Sequence, residues 1–227
     1  AREGNEGFLL DPFVTGKGKI LVRDLMAYLL YEWIKDPSNN GIAIFFRNVF
    51  PENLIQFKPD ATFVAVPTPM LETGECNTDI LELIMQKLNQ YKGHLVIVKS
   101  TVPAYKLQAI QEQCVDLKIV YNPEFLTEKN HIEDFRNPPM QIFGGLNADT
   151  DKVEKLYKEY SVCKPCPTYK TDIVTASMVK YCINSFLATK VTFMNEMYDV
   201  LKASKGCDWN TFVKIISNDT RIGKTHM

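Results

Sequence analysis

ATFVAVPTP, residues 61–69, carries the decision about the fold. Ala61 to Val66 is apolar on both faces, and Pro67-Thr68-Pro69 then stops it. A strand with one wet face alternates apolar and polar side chains, whereas a strand covered on both faces does not. The stretch therefore predicts a central strand of a parallel sheet with helices above and below.

Working downstream, TDILELIMQKLNQYKG has helical spacing, with Thr78 as N-cap candidate and Gly93 beyond its end. HLVIVKSTVP is the next strand, stopped by Pro103. AYKLQAIQEQCV is helical, LKIVYNPEF and MQIFGG are strands, and NADTDKVEKLYKEYSV is a helix. Upstream, GFLLDP predicts a short strand ending at Asp11 and Pro12. Ile20, Leu21, Leu25, Met26, Leu29, Leu30 and Trp33 recur at helical spacing, and IAIFFRNV is a further strand. Strands alternating with helices predict an α/β fold, a Rossmann-type parallel sheet with flanking helices. Three of its loops, VPTP, STVP and NPEF, belong at the strand C-termini, the edge where open sheets of this class hold ligands.

The character changes near residue 170. Thr171 to Gly206 is a single helical run without proline, its only glycine the last residue. Apolar positions span more than one face, which predicts burial on several faces. DWNTFVKIISND is a shorter helix beyond it. Residues 1–168 thus form the sheet domain and 169–227 a helical domain.

Bulk properties exclude some classes of function. The formal net charge of the 227 residues is −1, so no global field attracts nucleic acid. No apolar run reaches the ~18 to 20 residues of a membrane span, and the N-terminus lacks a signal pattern. The six cysteines stand mostly in apolar periodic stretches, where a free thiol is a small buried hydrophobe; a chain of this length needs no disulfide staples, and a reducing cytoplasm is expected.

Chemistry-bearing residues fall in three places. Glu124 and Glu128 follow the strand-ending Asn122-Pro123 step. Two acids there suit either the first turn of a helix or a ligand-facing loop. Lys99-Ser100-Thr101 closes another strand, either as a plain polar cap or as part of the same edge. Lys180 and Asn184 are four apart on the long helix and share a face; the alternative is a lysine that snorkels from a helix edge. Together they describe a site able to hold a polar ligand and move a proton. The CKPC at Cys163–Cys166 has no second CxxC or spaced histidine, so no metal is expected. TGKGK at 15–19 does not complete a dinucleotide fingerprint.

FVAVPTPM, VIVKSTVP, NPEFLTE with the later IEDFRNP, IFGG, MVKYCINSFLATKVTFMNE and DTRIG follow one another as in the UDP-glucose/GDP-mannose dehydrogenase family, which the chain resembles from about Glu52 onward. The resemblance implies NAD-dependent oxidation of a nucleotide sugar in two hydride steps. A cysteine traps the aldehyde as a thiohemiacetal and then a thioester, and water releases the uronic acid. It implies catalytic roles for Thr101 and Glu124 at the water, for Lys180 at the oxyanion, and for Asn184. Val66, Pro67, Thr68, Ser100, Thr101 and Glu128 would border NAD, with Asp11 standing for the acid that bonds the adenosine ribose. Glu124, Phe125, Leu126, Lys180, Asn184 and Arg221 would meet the sugar nucleotide. The long helix resembles the family's dimer core, and a homodimer is expected.

Two family segments are not found: the GxGxxG turn at the start and, after RIG, the GFGGxCFxKD segment with the nucleophilic cysteine. None of the six cysteines has that context. These residues alone are therefore expected not to be a competent dehydrogenase. They would be part of a longer enzyme, or else a non-catalytic relative that dimerises and holds or assembles around a sugar nucleotide.

Overall fold

The computed structural model describes residues 42–45, 60–127 and 130–226. The Asp11 and Glu128 expectations, and the elements expected before residue 42, lie outside them. The described elements are β1 (Ile42–Phe45), β2 (Ala61–Val64), α1 (Asp79–Leu88), β3 (Leu95–Val98), α2 (Ala104–Gln113), β4 (Lys118–Tyr121), α3 (His131–Arg136), β5 (Gln141–Gly144), α4 (Asn147–Tyr160), β6 (Thr168–Thr171), α5 (Ile173–Ala203) and α6 (Trp209–Ile216). The chain divides into two compact units after Lys180.

In the first unit the strands lie side by side in sequence order, β1 to β6. β1 to β4 pair in parallel, with α1 and α2 as crossovers, and β5 pairs in parallel with β6. The expected all-parallel sheet needs one correction: β5 runs antiparallel to β4, joined at Tyr121 and Gly144. Antiparallel neighbours need no crossover back to the far edge, and a loop with the six-residue α3 makes the turn. That helix and β6 were not read from the sequence.

Side chains of β2 to β4 divide between two cores, as the pleat requires. Val64, Val96, Val98 and Tyr121 join Leu81, Met85 and Leu88 of α1 and Leu107 of α2 on one face. Ala61, Phe63, Ile97 and Val120 join Phe135, Val153 and Tyr157 of α3 and α4 on the other. Each fully buried Leu, Met or Phe contributes about 1.5–3 kcal/mol relative to exposure. These two covers are why ATFV shows no polar face.

Thr78 stands at the α1 N-cap position, but its hydroxyl donates to Glu82 Oε1 (2.6 Å) rather than capping a backbone N–H. Of the six cysteines only Cys114 is buried, and Cys182 and Cys207 are exposed, contrary to the expectation of mostly buried thiols. No described helix is long and apolar enough to cross a membrane.

α5 starts inside the first unit. Asp172, just ahead of it, accepts from Thr175 N (2.8 Å) and Thr175 Oγ1 (2.6 Å). Ala176 is buried in the core, and Ser177 Oγ donates to Val102 O (2.7 Å). In the second unit α5 is not buried on several faces as expected: Phe186, Phe193 and Val200 are largely exposed, while Met194 is buried. Tyr198 and Phe212 pack around Trp209 there, with centroids 5.1 and 5.8 Å apart.

Candidate functional site

The ends of β2 and β3 are tied together by one hydroxyl. Ser100 Oγ accepts from Val66 N (2.9 Å) and donates to Val66 O (2.7 Å). One residue further on, Thr68 Oγ1 donates to Thr101 O (2.8 Å). The two proline-bearing loops therefore leave the sheet together, because neither strand can continue its ladder past Pro67 or Pro103. Between them lies a cleft of ≈ 250 Å³ lined by residues 65–69, Lys99, Ser100, Thr101 and Glu124. Val66, Pro67, Thr68, Ser100, Thr101 and Glu124, chosen from the sequence, thus converge on one cavity at the C-terminal edge.

Glu124 does not sit on a helical turn. Residues 122–127 are irregular, and α3 begins only at His131, so of the two readings open for Glu124 the loop holds and the first turn of a helix does not. Pro123 denies the step a backbone donor and biases Asn122 to extended backbone. Asn122, fully buried, donates Nδ2 to Ile142 O (2.9 Å) and Gln141 Oε1 (3.2 Å), which fixes the start of the loop against β5.

Lys180, one turn beyond Ala176, is buried and reaches over the same loop. Its Nζ donates to Glu124 O and stands 5.1 Å from the Phe125 ring centroid. Burial pulls the amine below its ordinary range, with the Glu124 charge opposing. Burial likewise pushes the Glu124 carboxyl up, against the pull of Lys99 and Lys180. An acid raised in this way is a stronger proton acceptor than a free carboxylate.

Phe125 and Leu126 line a second, smaller cavity with Lys99, Glu124, Gln141 and Tyr157. Asn184 and Arg221 belong to the second unit and are exposed; the guanidinium pairs with Asp219 (Nη2–Oδ2 2.5 Å). Sequence reasoning missed the buried partners of the site, Asn122 and Tyr157. The available signal was the buried Lys99, which demands polar company wherever it lies. Among the described residues no metal-holding group of three ligands occurs.

Residues 39–161 match the NAD binding domain of the UDP-glucose/GDP-mannose dehydrogenase family, and residues 174–227 match its central domain. A UDP-glucose 6-dehydrogenase of Rickettsia conorii is 32% identical over 190 residues, 80% of this chain and 42% of that protein. A GDP-mannose 6-dehydrogenase of Pseudomonas savastanoi pv. phaseolicola is 32% identical over 179 residues, covering 72% and 40%. The solved UDP-glucose dehydrogenase of Pyrobaculum islandicum superposes with a TM-score of 0.64 at 31% identity, over 74% of this chain and 41% of that one. The chain thus spans about two fifths of the length of these relatives.

Proposed function

The chain belongs to the UDP-glucose/GDP-mannose dehydrogenase family, and on that premise we propose that it supplies the NAD-facing half of a site that oxidises a nucleotide sugar to its uronic acid. NAD is the cofactor of the domain it matches. The cleft between the β2 and β3 loops fits part of that cofactor: its wall carries the Thr68, Ser100 and Thr101 hydroxyls at strand C-termini, where open α/β sheets bind dinucleotides. When bound, NAD accepts the hydride. Val66, Pro67, Thr68 and Ser100 border it, with Glu128 and Asp11 completing the set.

Glu124, beside Thr101, takes the proton of the water that releases the acid. Lys180 places positive charge where the oxyanion develops. Phe125 and Leu126 meet the sugar nucleotide, and the Arg221 guanidinium suits the phosphates of a neighbouring subunit's nucleotide. A cytoplasmic setting suits the six free thiols. Two chains pair through α5, whose exposed Phe186, Phe193 and Val200 recur every seventh residue as in a helix–helix seam.

The observation that carries this reading is the convergence of the three loops on one cleft, with a buried amine bonded to the loop of Glu124. Calorimetry with NAD, UDP-glucose and GDP-mannose tests it. NAD binding at micromolar strength is expected, weakened by filling the cleft with Ser100→Phe; no binding of any of the three would overturn it. UDP-glucose is the sugar we assign, and tighter binding of GDP-mannose would reverse that choice. No cysteine stands in the GFGGxCFxKD context, so uronic acid formation by this chain should not exceed that of Lys180→Ala. Turnover well above that control would contradict the assignment of this half-site role.

A further inference from the structure

Lys99 is fully enclosed at the end of β3, yet lines both cavities, as does Glu124. An ammonium has three N–H donors. One goes to Asn122 Oδ1 (2.8 Å), and Tyr157 Oη lies at a long 3.5 Å. Tyr157 spends its own proton on the same Asn122 Oδ1 (2.7 Å), so its oxygen can only accept from the lysine. Asn122 is held with this oxygen toward the amine because its nitrogen is committed to β5. Among the described residues no third protein acceptor meets the amine. What remains in front of it is the smaller cavity, ≈ 20 Å³, with Glu124 on its wall. That is room for about one water.

A buried ammonium without a counter-charge costs several kcal/mol. The charged or titratable groups around it are Glu124, Tyr157 from α4, Cys163 just beyond α4, Lys180 from α5, and Asp134 of α3 on the cavity wall. Asp134 is occupied by Thr127, accepting from its N (2.8 Å) and Oγ1 (2.5 Å). Cys163 is a thiol that burial keeps protonated. Among the described residues, Glu124 is the carboxylate whose charge acts on the amine.

We propose that Lys99 is a positioning residue of this site: its ammonium, pinned from behind by Asn122 and Tyr157, keeps Glu124 charged and turned toward the cleft across the small cavity. The proposal rests on Glu124 being the base of the proposed reaction, but the coupling itself is a property of this chain without any substrate.

The test is NMR titration of the intact chain with ¹³C-labelled glutamate and lysine side chains, Glu124→Gln assigning the carboxyl signal. Lys99→Met should raise the proton affinity of Glu124 about tenfold, and Lys99→Arg should restore most of it. Reciprocally, Glu124→Gln should lower the proton affinity of Lys99 by the same factor, since coupling between two sites is mutual. A Glu124 titration unmoved in Lys99→Met, or a Lys99 titration unmoved in Glu124→Gln, would overturn the proposal. The second arm decides by itself if Lys99→Met does not fold. Loss of nucleotide-sugar binding with the coupling intact would instead indict the proposed reaction alone.

Discussion

Ser100 grips both backbone groups of Val66, taking its N–H and giving to its carbonyl through one hydroxyl. Both bonds are buried, so no water stands ready to replace them. Ser100→Ala should lower stability by about 1–3 kcal/mol, the cost of stranding buried polar groups. Urea denaturation measures it, and Ser100→Thr, which keeps the hydroxyl, should recover part of the loss. An Ala variant as stable as the parent would mean the two loops are joined by other means.

The enclosed Lys99 gives a pH signature. Burial lowers its amine from 10.5 to about 8. A folded value below the unfolded one means stability that is present above 10.5 and lost as pH falls through 8. The parent should therefore gain stability relative to Lys99→Met as pH rises from about 8 toward 9.5, by ~1–2 kcal/mol. Paired denaturation curves at the two pH values read this directly, and parallel curves would refute it.

Glu124 runs with the opposite sense at lower pH. Its carboxyl is raised above 4.5, so the stability it lends is present below 4.5 and lost as pH climbs through its folded value. Relative to Glu124→Gln, the parent should weaken over that interval. A difference curve flat between pH 4.5 and neutrality would show the carboxylate to be well hydrated.

Gly144 marks where β5 meets the start of α5. A Cβ there would stand 2.5 Å from Ala176 Cβ and 3.0 Å from both Asp172 O and Ile173 Cα. Two of these are backbone atoms that cannot step aside, so Gly144→Ala should cost about 1–3 kcal/mol or more. Adding Ala176→Gly should return only part of it, because the backbone contacts persist. Thermal melts of the single and double variants give the comparison.

Phe193 carries the pairing proposal. Phe193→Asp should leave the chain monomeric by analytical ultracentrifugation at concentrations where the parent sediments as a dimer. A parent that is itself monomeric would overturn the pairing, and a variant that still pairs would move the interface off α5.

Much of this was written in local pattern. ATFV and LVIV announce strands covered on both faces, and the proline stops announce where the loops leave the sheet. β6 was invisible because TYKT is half wet and short, with no apolar run to betray it. The reversal of β5 was invisible because strand direction depends on the connection, and a six-residue helix leaves little periodicity to detect. At the site, Lys180 could be picked because a helix fixes which residues share a side, and Glu124 because it follows the Asn122-Pro123 step that ends its strand. Asn122 and Tyr157 could not: their bond spans 35 positions and exists only once α4 lies across the sheet. The glutamates misled because acids before a helix look the same whether the helix starts at once or several residues later.

The docking of α5 sets a gauge as well as a support. Ala176 seats the helix against the sheet and Lys180 follows by four residues, little more than one turn. Inserting a single alanine between them would rotate the amine by about 100° around the axis while leaving the seat untouched. Such a protein should fold and melt much like its parent yet have its lysine swung off the Glu124 loop, so that the integrity of the scaffold and the alignment of its working parts become separately adjustable.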